Sequence, residues 1–346
     1  MTSSLSRRGF LAAAGMASLG IAAEPRIPTA NRASGRVRFL AFTDIHYRFS
    51  PIHTKSREWL ERILARAERE RVDFVIQLGD FTAKPLEDLD YVNAYNDFKI
   101  KTYSVFGNHD DDNFPHERVL EALRLDSGHY FFDRGGFRFI VADPNYILVD
   151  GAYRHYSDGN HSRKRLPGAT LNHLPPFQQE WLKDAIDSSP FPCVVFSHQS
   201  FERGVGGVVE QAAVRKIFHD ANAASPGKVR LAVNGHHHCD HFTIMDGVPY
   251  LDLNSASYQW LGWKFSYNGY SAEDMKRFPT MNHTFVYDRP ISAIITLESD
   301  GHLKVEGETG AFYAGVTPES VGGWMDEMGR PATPDIQSLD MNFRYS

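Results

Sequence analysis

Residues 229–238 have the sequence VRLAVNGHHH, an apolar run that ends in a glycine and three consecutive histidines. The apolar part predicts a buried β-strand, and the glycine predicts a sharp loop after it. His236 and His238 are two positions apart, so one loop could direct both imidazoles to neighbouring points. A histidine pair alone is weak evidence for a metal site, because short motifs often arise by chance.

Four upstream stretches share this design, since each places polar side chains directly after an apolar run. They are Asp44-Ile45-His46, Gly79-Asp80, Gly107-Asn108-His109-Asp110 and Ser197-His198. Ligands of open α/β sheets bind at the carboxyl ends of the strands. We therefore expect the five loops to converge on one site.

The pattern around these loops predicts an α/β fold. Apolar runs at residues 37–42, 73–78 and 103–106 alternate with amphipathic stretches at 56–71 and 86–98, which is typical of a sheet with covering helices. Further helices are predicted at 115–125, 175–188 and 208–221, and strand pairs at 130–142, 242–253 and 291–307. Residues 144–174 and 254–288 have no clear periodicity, and we expect them to be loop insertions.

The donor atoms in the five loops suit two metal ions. The candidate ligands are Asp44, His46, Asp80, Asn108, His198, His236 and His238. Mixed oxygen and nitrogen donors without thiolates favour Mn, Fe or Zn, as divalent or trivalent ions. Seven ligands exceed the needs of one ion but suit two ions that share a carboxylate, about 3.5–4 Å apart, which can clamp a phosphoryl group.

In order and spacing, the five motifs resemble those of the calcineurin-like metallophosphoesterases over residues 44–238. The resemblance implies two mixed β-sheets packed as a sandwich, with helices on the outer faces. It also implies in-line attack on phosphorus by a hydroxide that bridges the two ions, with His109 protonating the leaving oxygen or stabilising charge.

The resemblance also divides the ligands between the two ions. The first ion would be held by Asp44, His46, Asp80 and His238. The second would be held by Asp80, Asn108, His198 and His236, so that Asp80 bridges.

Two positions depart from the pattern of the protein phosphatases in this family. Ala83 and Lys84 stand where those enzymes have an aspartate and an arginine, so the usual carboxylate support for His109 is missing. Asp110 is the substitute that the sequence offers. Ala83 also replaces the tyrosine ligand of the purple acid phosphatases, which makes that subgroup a poor match.

The substrate has to be inferred from the insertions. Aromatic residues in 254–288 could form a wall of the cleft or only a surface loop packed on itself, and they favour a phosphodiester or nucleotide slightly over a phosphomonoester. Candidate substrate-binding residues are Lys84, Arg163, Arg165 and Tyr258. Solvated surface positions are the alternative for the basic ones. His161 repeats a Gly-Asn-His motif without a preceding strand, and we interpret it as unrelated to the site.

A non-catalytic protein that binds a phosphorylated ligand through its metals is the alternative from another class. A small phosphorylated substrate is the expected partner. The net charge of −6 argues against a nonspecific grip on nucleic acid. The sequence leaves the oligomeric state open.

The N-terminal segment resembles a twin-arginine export signal. Arg7 and Arg8 precede a short Ala/Gly-rich stretch that is too short and too weakly apolar to span a bilayer. We expect cleavage between residues 22 and 30 and a periplasmic or extracellular protein, whose net charge changes from −6 to −8 when these two arginines are removed.

The predicted organisation is a signal and linker at 1–30, a phosphoesterase domain at 31–314 and a C-terminal tail at 315–346 packed on it. We expect Cys193 and Cys239 to be free thiols, since the site places them too far apart for a disulfide.

Overall fold

The computed structural model describes residues 35–48, 56–159, 166–317 and 319–343. The predicted export signal, Arg163, Arg165 and His161 lie outside the described residues.

The described chain contains seventeen strands and six α-helices. The strands are β1 (Arg36–Phe42), β2 (Phe74–Gln77), β3 (Thr102–Ser104), β4 (Tyr130–Arg134), β5 (Phe137–Val141), β6 (Tyr146–Val149), β7 (Ala152–His155), β8 (Thr170–His173), β9 (Cys193–Ser197), β10 (Val229–Asn234), β11 (His241–Met245), β12 (Val248–Asp252), β13 (Tyr258–Trp260), β14 (Thr284–Val286), β15 (Ala293–Glu298), β16 (His302–Glu306) and β17 (Leu339–Asn342). The helices are α1 (Ser56–Arg69), α2 (Leu89–Asn96), α3 (His116–Leu123), α4 (Pro176–Asp187), α5 (Gln211–Ala224) and α6 (Ala272–Arg277).

Two six-stranded mixed sheets form the body of the fold. The first has the order β17-β16-β15-β1-β2-β3, in which β1, β2 and β3 are parallel and β15 to β17 are antiparallel. The second has the order β11-β12-β10-β9-β5-β4, with four parallel central strands and an antiparallel strand at each edge. The five predicted loops follow β1, β2, β3, β9 and β10. Each of these strands has at least one parallel neighbour.

The sheets pack face to face through alternate residues of their strands. On the inner faces, the ring of Phe39 meets the rings of Phe139 and Phe196 at centroid distances of 5.6 and 5.8 Å. The neighbouring residue Leu40 points outward to a core shared with α1, α2 and α3, and Val195 of β9 points to a core shared with α4 and α5. This arrangement confirms the predicted sandwich with helices on the outer faces.

The insertion at 144–174 has more regular structure than its sequence suggested. Strands β6, β7 and β8 form a small antiparallel sheet of their own. Each strand has only four residues, which is too short for a clear period-two pattern. The Asp150-Gly151 turn between β6 and β7 has φ of 51° and 76°, and this dipeptide is the hairpin signal that could have revealed the sheet.

The other insertion and the tail also contain ordered elements. Strands β13 and β14 pair within 254–288, and α6 lies between them along the chain. The tail adds β17 to the edge of the first sheet, where it pairs with β16. Side chains from the tail, including Val321 and Ile336, are buried in the core between the sheets. The domain boundaries stay a prediction.

The cysteine prediction is confirmed, because Cys193 and Cys239 are both buried free thiols. Among the described residues, no helix is both long enough and apolar enough to cross a membrane.

Candidate metal centre

The five loops converge at one end of the sandwich. Their donor atoms form two groups, each with all three atoms within 4.8 Å of one another. The groups are Asp44, His46 and His238, and Asp80, His198 and His236. Each group combines one carboxylate with two imidazoles. The two groups match the ligand sets that the family resemblance implied, except that Asp80 belongs to both of those sets and Asn108 to the second. Both residues are considered below.

Asp80 lies between the two groups. Its Oδ2 is 3.6 Å from His46 Nε2 in the first group and 3.3 Å from His198 Nε2 in the second. Within the groups, His46 Nε2 and His238 Nε2 are 3.3 Å apart, and so are His198 Nε2 and His236 Nδ1. Donors that surround a cation at about 2.0–2.2 Å are spaced in this way. The position of Asp80 suits the bridging role expected of it.

Hydrogen bonds on the far side of two imidazoles determine which nitrogen faces the centre. His198 Nδ1 donates to the carbonyl of Leu78 at 2.7 Å, and His238 Nδ1 donates to the carbonyl of Tyr258 at 2.7 Å. In the neutral form of each imidazole, the lone pair is therefore on Nε2 and faces the centre. His238 Nε2 lies 3.2 Å from Asp44 Oδ1, so an acceptor faces an acceptor. A cation between them resolves this conflict.

Two side-chain oxygens at the centre have no hydrogen-bond partner. They are Asp44 Oδ1 and Asn108 Oδ1, both buried. The other oxygen of Asp44 is held by the hydroxyl of Thr43 at 2.5 Å and by the backbone N–H of His236 at 2.9 Å. Unpaired buried oxygens are costly unless they bind an ion or water. The residues present therefore fit a two-ion centre with nitrogen and oxygen donors.

Charge at the centre is shared between the carboxylates and the imidazoles. Burial opposes ionisation of Asp44 and Asp80, but the facing imidazoles hold the pKa of both carboxyls well below the ordinary value. Burial also opposes protonation of His198, and Asp80 and Asp44 outweigh it to raise its pKa to about 9. Without metal, the centre balances its carboxylates with protons. Metal ions would take the place of those protons.

The backbone at five of the candidate ligands is left-handed. The φ angles of Asp44, His46, Asp80, His236 and His238 are 50°, 46°, 52°, 69° and 49°. Such a backbone costs about 1–2 kcal/mol per non-glycine residue, so neighbouring contacts must hold it in place. Two of these contacts are backbone hydrogen bonds of 3.0 Å, from Asp44 N–H to the Gly79 carbonyl and from His46 N–H to the Asp80 carbonyl.

Two glycines allow the loops to approach each other. A Cβ on Gly107 would collide with the backbone and carboxylate of Asp80, and a Cβ on Gly235 would collide with Thr43 and Asp44. The glycines that the motifs carry thus make room for the adjoining loop.

The carboxylate that supports His109 is Asp112. His109 Nδ1 and Asp112 Oδ2 are 2.7 Å apart, while the imidazole itself is 41% exposed in the cleft above the centre. Asp110, the substitute expected from the sequence, does not fill this role. Burial opposes protonation of His109, and the Asp80 and Asp112 carboxylates outweigh it to raise the pKa of His109 to about 9.

Asp110 instead joins two loops. Its carboxylate accepts backbone N–H groups from Gly107 at 2.9 Å, Phe81 at 2.8 Å, Thr82 at 3.0 Å and Asp80 at 3.1 Å. With four backbone donors in place, the carboxylate cannot also reach the imidazole of the preceding residue. Asp110 therefore fixes the loop after β3 against the loop after β2.

The centre opens into a cleft of about 1200 Å³. Its floor contains the predicted site residues His46, Asn108, His109, His236 and His238. Its walls come from 144–174 and 254–288 and from the tail, and they include Tyr156, Leu171, Trp260, Leu261, Trp263, Trp324 and Met325. Both insertions thus border the cleft, and the aromatic stretch is more than a loop packed on itself.

The substrate-binding candidates have different positions. Lys84 lines the cleft, but its ammonium pairs with Glu87 at 2.8 Å. Tyr258 also borders the cleft, although its ring is 3% exposed and packs against the rings of His46 and His238 at centroid distances of 5.1 and 4.6 Å. His237 Nε2 accepts the backbone N–H of Ser200 at 3.3 Å and belongs to neither group of donors.

Sequence reasoning missed Asp112 and the part of the tail at Trp324 and Met325. Asp112 lies in the run Asp110-Asp111-Asp112, and spacing alone does not tell which carboxylate turns back to His109. Trp324 reaches the cleft through a hydrogen bond of 3.2 Å from its Nε1 to the carbonyl of Leu261. That contact joins residues far apart in the chain, so local sequence carries no signal for it.

Comparisons with known proteins agree with this geometry. A family model for the calcineurin-like phosphoesterases matches residues 37–240, which contain all five loops. No curated protein matches the chain. A dimetal phosphatase from Danio rerio is similar in structure, with a TM-score of 0.58 and 17% identity, over 89% of this chain and 99% of that one. GAP50, the anchor in the inner membrane complex of Plasmodium, is similar with a TM-score of 0.49 and 12% identity, over 90% of each chain. At 17% identity, the likeness to the Danio rerio phosphatase supports the fold alone.

Proposed function

The chain belongs to the calcineurin-like phosphoesterase family, and from this premise we propose that it hydrolyses a phosphodiester or a nucleotide. The protein is a metal-dependent phosphoesterase, as the sequence predicted.

Seven side chains are proposed to hold the metals. They are Asp44, His46, Asp80, Asn108, His198, His236 and His238. When bound, two ions supply Lewis acidity and a water of lowered pKa. Binding of the substrate and transfer of protons are left to the protein's own side chains. The unpaired Oδ1 atoms of Asp44 and Asn108 and the lone pairs of His198 and His238 support this assignment.

His109 is proposed as the general acid for the leaving oxygen. Its imidazole faces the cleft, and Asp112 holds its Nδ1, so that Nε2 is the nitrogen left to act on the substrate. Against the effect of burial, the Asp112 carboxylate raises the pKa of His109 and so favours the protonated imidazole that a general acid needs. Asp112 acts through His109 by positioning it and by favouring its charged form.

The proposed substrate class rests on the aromatic side chains in the wall of the cleft. Trp260 and Trp263 meet edge to face at 5.1 Å, and Trp263 is 70% exposed beside the metal centre. Exposed tryptophans are suited to stack a nucleobase or cover another planar group, at about 1–3 kcal/mol per base. A phosphomonoester with a small leaving group would leave this wall unused.

A pair of chromogenic substrates tests the substrate class. Mn-loaded protein is assayed with a nitrophenyl phosphomonoester and with a nitrophenyl ester of a nucleoside phosphate. We expect kcat/KM to be higher for the diester, and the preference to shrink when Trp263 is replaced. Equal or better hydrolysis of the monoester, unaffected by the Trp263 substitution, would reject the diester proposal and favour a phosphomonoesterase.

We also propose that the protein is exported in the folded state, on the basis of Arg7 and Arg8 and the Ala/Gly-rich stretch after them. Folding before transport would let the chain load its metals first. Periplasmic fractions are compared for the wild type and an Arg7→Lys, Arg8→Lys variant. Loss of the protein from that fraction in the variant is expected, and unchanged export would reject the twin-arginine route.

A further inference from the structure

We propose that Asp111, His116 and His155 bind a further metal ion, separate from the catalytic centre. Asp111 follows the loop after β3, His116 is the first residue of α3, and His155 is the last residue of β7. Asp111 Oδ2 and one nitrogen from each histidine lie within 4.8 Å of one another. The three donors thus come from three separate elements.

The distances between these donors match those at the catalytic centre. Asp111 Oδ2 is 3.3 Å from His116 Nδ1 and 3.4 Å from His155 Nδ1. Two other histidine–carboxylate pairs in this protein are closer, at 2.6 Å for His173 with Glu210 and 2.8 Å for His302 with Asp340, while His155 Nε2 and Asp143 Oδ2 are 3.2 Å apart. A tetrahedral ion with bonds of about 2.0–2.1 Å separates its ligand atoms by roughly 3.3–3.4 Å. The spacing therefore fits the ligands of a shared cation.

The other nitrogen of His155, Nε2, already has a hydrogen-bond partner. Its Nε2 lies 3.2 Å from Asp143 Oδ2, and the second oxygen of Asp143 accepts from the amide of Asn145 at 2.8 Å. A proton on Nε2 leaves Nδ1 as the acceptor, which faces the Asp111 carboxylate and also accepts the backbone N–H of Ser157 at 3.4 Å, a long contact that a metal ion would replace. Carboxylates behind metal-binding histidines orient the ring in the same way. Ser157 Oγ, also 3.3 Å from this Nδ1, is a further oxygen beside the three donors.

The buried carboxylate of Asp111 is a second, independent indication of a bound cation. Its side chain is fully buried, and its Oδ1 has no hydrogen-bond partner. An ionised carboxylate in this position requires a compensating charge. A cation bound through Oδ2 provides that charge.

The surroundings of the cluster indicate a structural ion. The side chains of His116 and His155 are 18% and 8% exposed, and none of the three residues lines the cleft. Two imidazoles and a carboxylate suit Zn²⁺ or a similar transition metal ion. The imidazoles are stacked at a centroid distance of 3.7 Å with 33° between their planes, so binding one ion through both nitrogens requires the rings to open from that arrangement.

Such an ion would join the small sheet of 144–174 to the loop that carries His109. Asp111 precedes Asp112, which holds His109, and His155 ends a strand of the small sheet. The ion would therefore fix the general acid against a wall of the cleft. The further metal site requires only Asp111, His116 and His155 and does not depend on the substrate proposed above.

Metal content tests the inference directly. Full-length protein, purified and dialysed in metal-free buffer after loading with Zn²⁺, is measured by mass spectrometry of its metals. We expect the wild type to contain one more ion per chain than the His116→Ala and His155→Ala variants. A His173→Ala variant is the matched control, because it removes a buried histidine paired with a carboxylate at hydrogen-bonding distance, and its metal content should equal that of the wild type.

A Zn-soaked crystal of the wild type keeps the test decisive if the variants fold poorly. Anomalous scattering should show a peak between Asp111 Oδ2 and the two Nδ1 atoms, in addition to peaks at the catalytic centre. No peak there, with full peaks at the centre, would overturn the inference whatever the variants do. Equal metal content in the folded wild type and His155→Ala proteins would overturn it as well.

Discussion

The floor and the wall of the cleft are built in different ways. The floor comes from five loops, each of which ends a strand of the sandwich and contains its own glycine, carboxylate or histidine motif. The wall comes from two insertions and the tail, and Trp260 and Trp324 are brought together there by the hydrogen bond of Trp324 to Leu261. On the function proposed above, the floor would determine whether a phosphoester is cleaved, and the wall would determine which one. Substitutions in each part should separate these two properties.

The largest effect is expected from the bridging carboxylate of the floor. Asp80→Asn keeps the size of the side chain but removes the charge that lies between the two groups of donors. We expect loss of metal and loss of hydrolysis of every substrate, because the centre is needed for all of them. Metal content and activity are measured on the same sample. Full activity of the metal-depleted variant, or of wild type after exhaustive chelation, would contradict the assignment.

A smaller loss is expected at His109. His109→Ala should retain the metals of the wild type, since the imidazole is not in either group of donors. The rate should fall by about 10²–10⁴-fold, the usual contribution of a general acid. A substrate with a very good leaving group, which needs no protonation, should be affected less. Equal losses for good and poor leaving groups would rule out the acid role.

Asp112→Asn should have an intermediate effect on the same step. Removing the carboxylate beside His109 should lower kcat by about 10–100-fold, as loss of an orienting partner typically does, with little change in KM. The carboxylate raises the pKa of His109, and activity needs the protonated imidazole, so activity is present below that pKa and lost above it. The loss on the alkaline side should therefore begin at lower pH in the variant. An unchanged pH profile would show that Asp112 has only a structural role.

The smallest effect is expected at the wall. Trp263→Ala should raise KM for a nucleoside diester by about tenfold, within the range of one stacking contact, and leave a small monoester unaffected. Phe177→Ala is the control, because Phe177 is another exposed aromatic residue, on α4, that does not line the cleft. A similar change in KM for both substrates would mean that the wall does not select between them.

The same contrast explains how much could be predicted from the sequence. The five loops could be recognised because strand, turn and ligand are adjacent in the chain. The sandwich could be predicted for the same reason, since each strand and helix carries its own periodicity. Asp112 could not be separated from Asp110, because the difference between them is the direction of a side chain within one loop. The small sheet of β6 to β8 was missed because its strands are four residues long.

The residues at the cleft wall depend on contacts over long sequence distances. Trp324 lies 63 residues from the carbonyl that its indole binds, and no local pattern predicts such a contact. The pairing of His116 with His155 is equally remote. Prediction from sequence was thus most successful where the chemistry is local and failed where it depends on the packing of distant segments.

The left-handed backbone at five of the seven candidate ligands has a consequence for how this centre could change during evolution. Aspartate, asparagine and histidine are the non-glycine residues that tolerate this conformation best, and they are also ligands for Mn, Fe and Zn. A cysteine or glutamate that shifted the metal preference would have to adopt an unfavourable backbone at Asp44, His46, Asp80, His236 or His238. Exchanges among aspartate, asparagine and histidine therefore add little backbone strain, although they can still remove the charge that the metals need. A change to a different class of metal would require the loops themselves to be rebuilt.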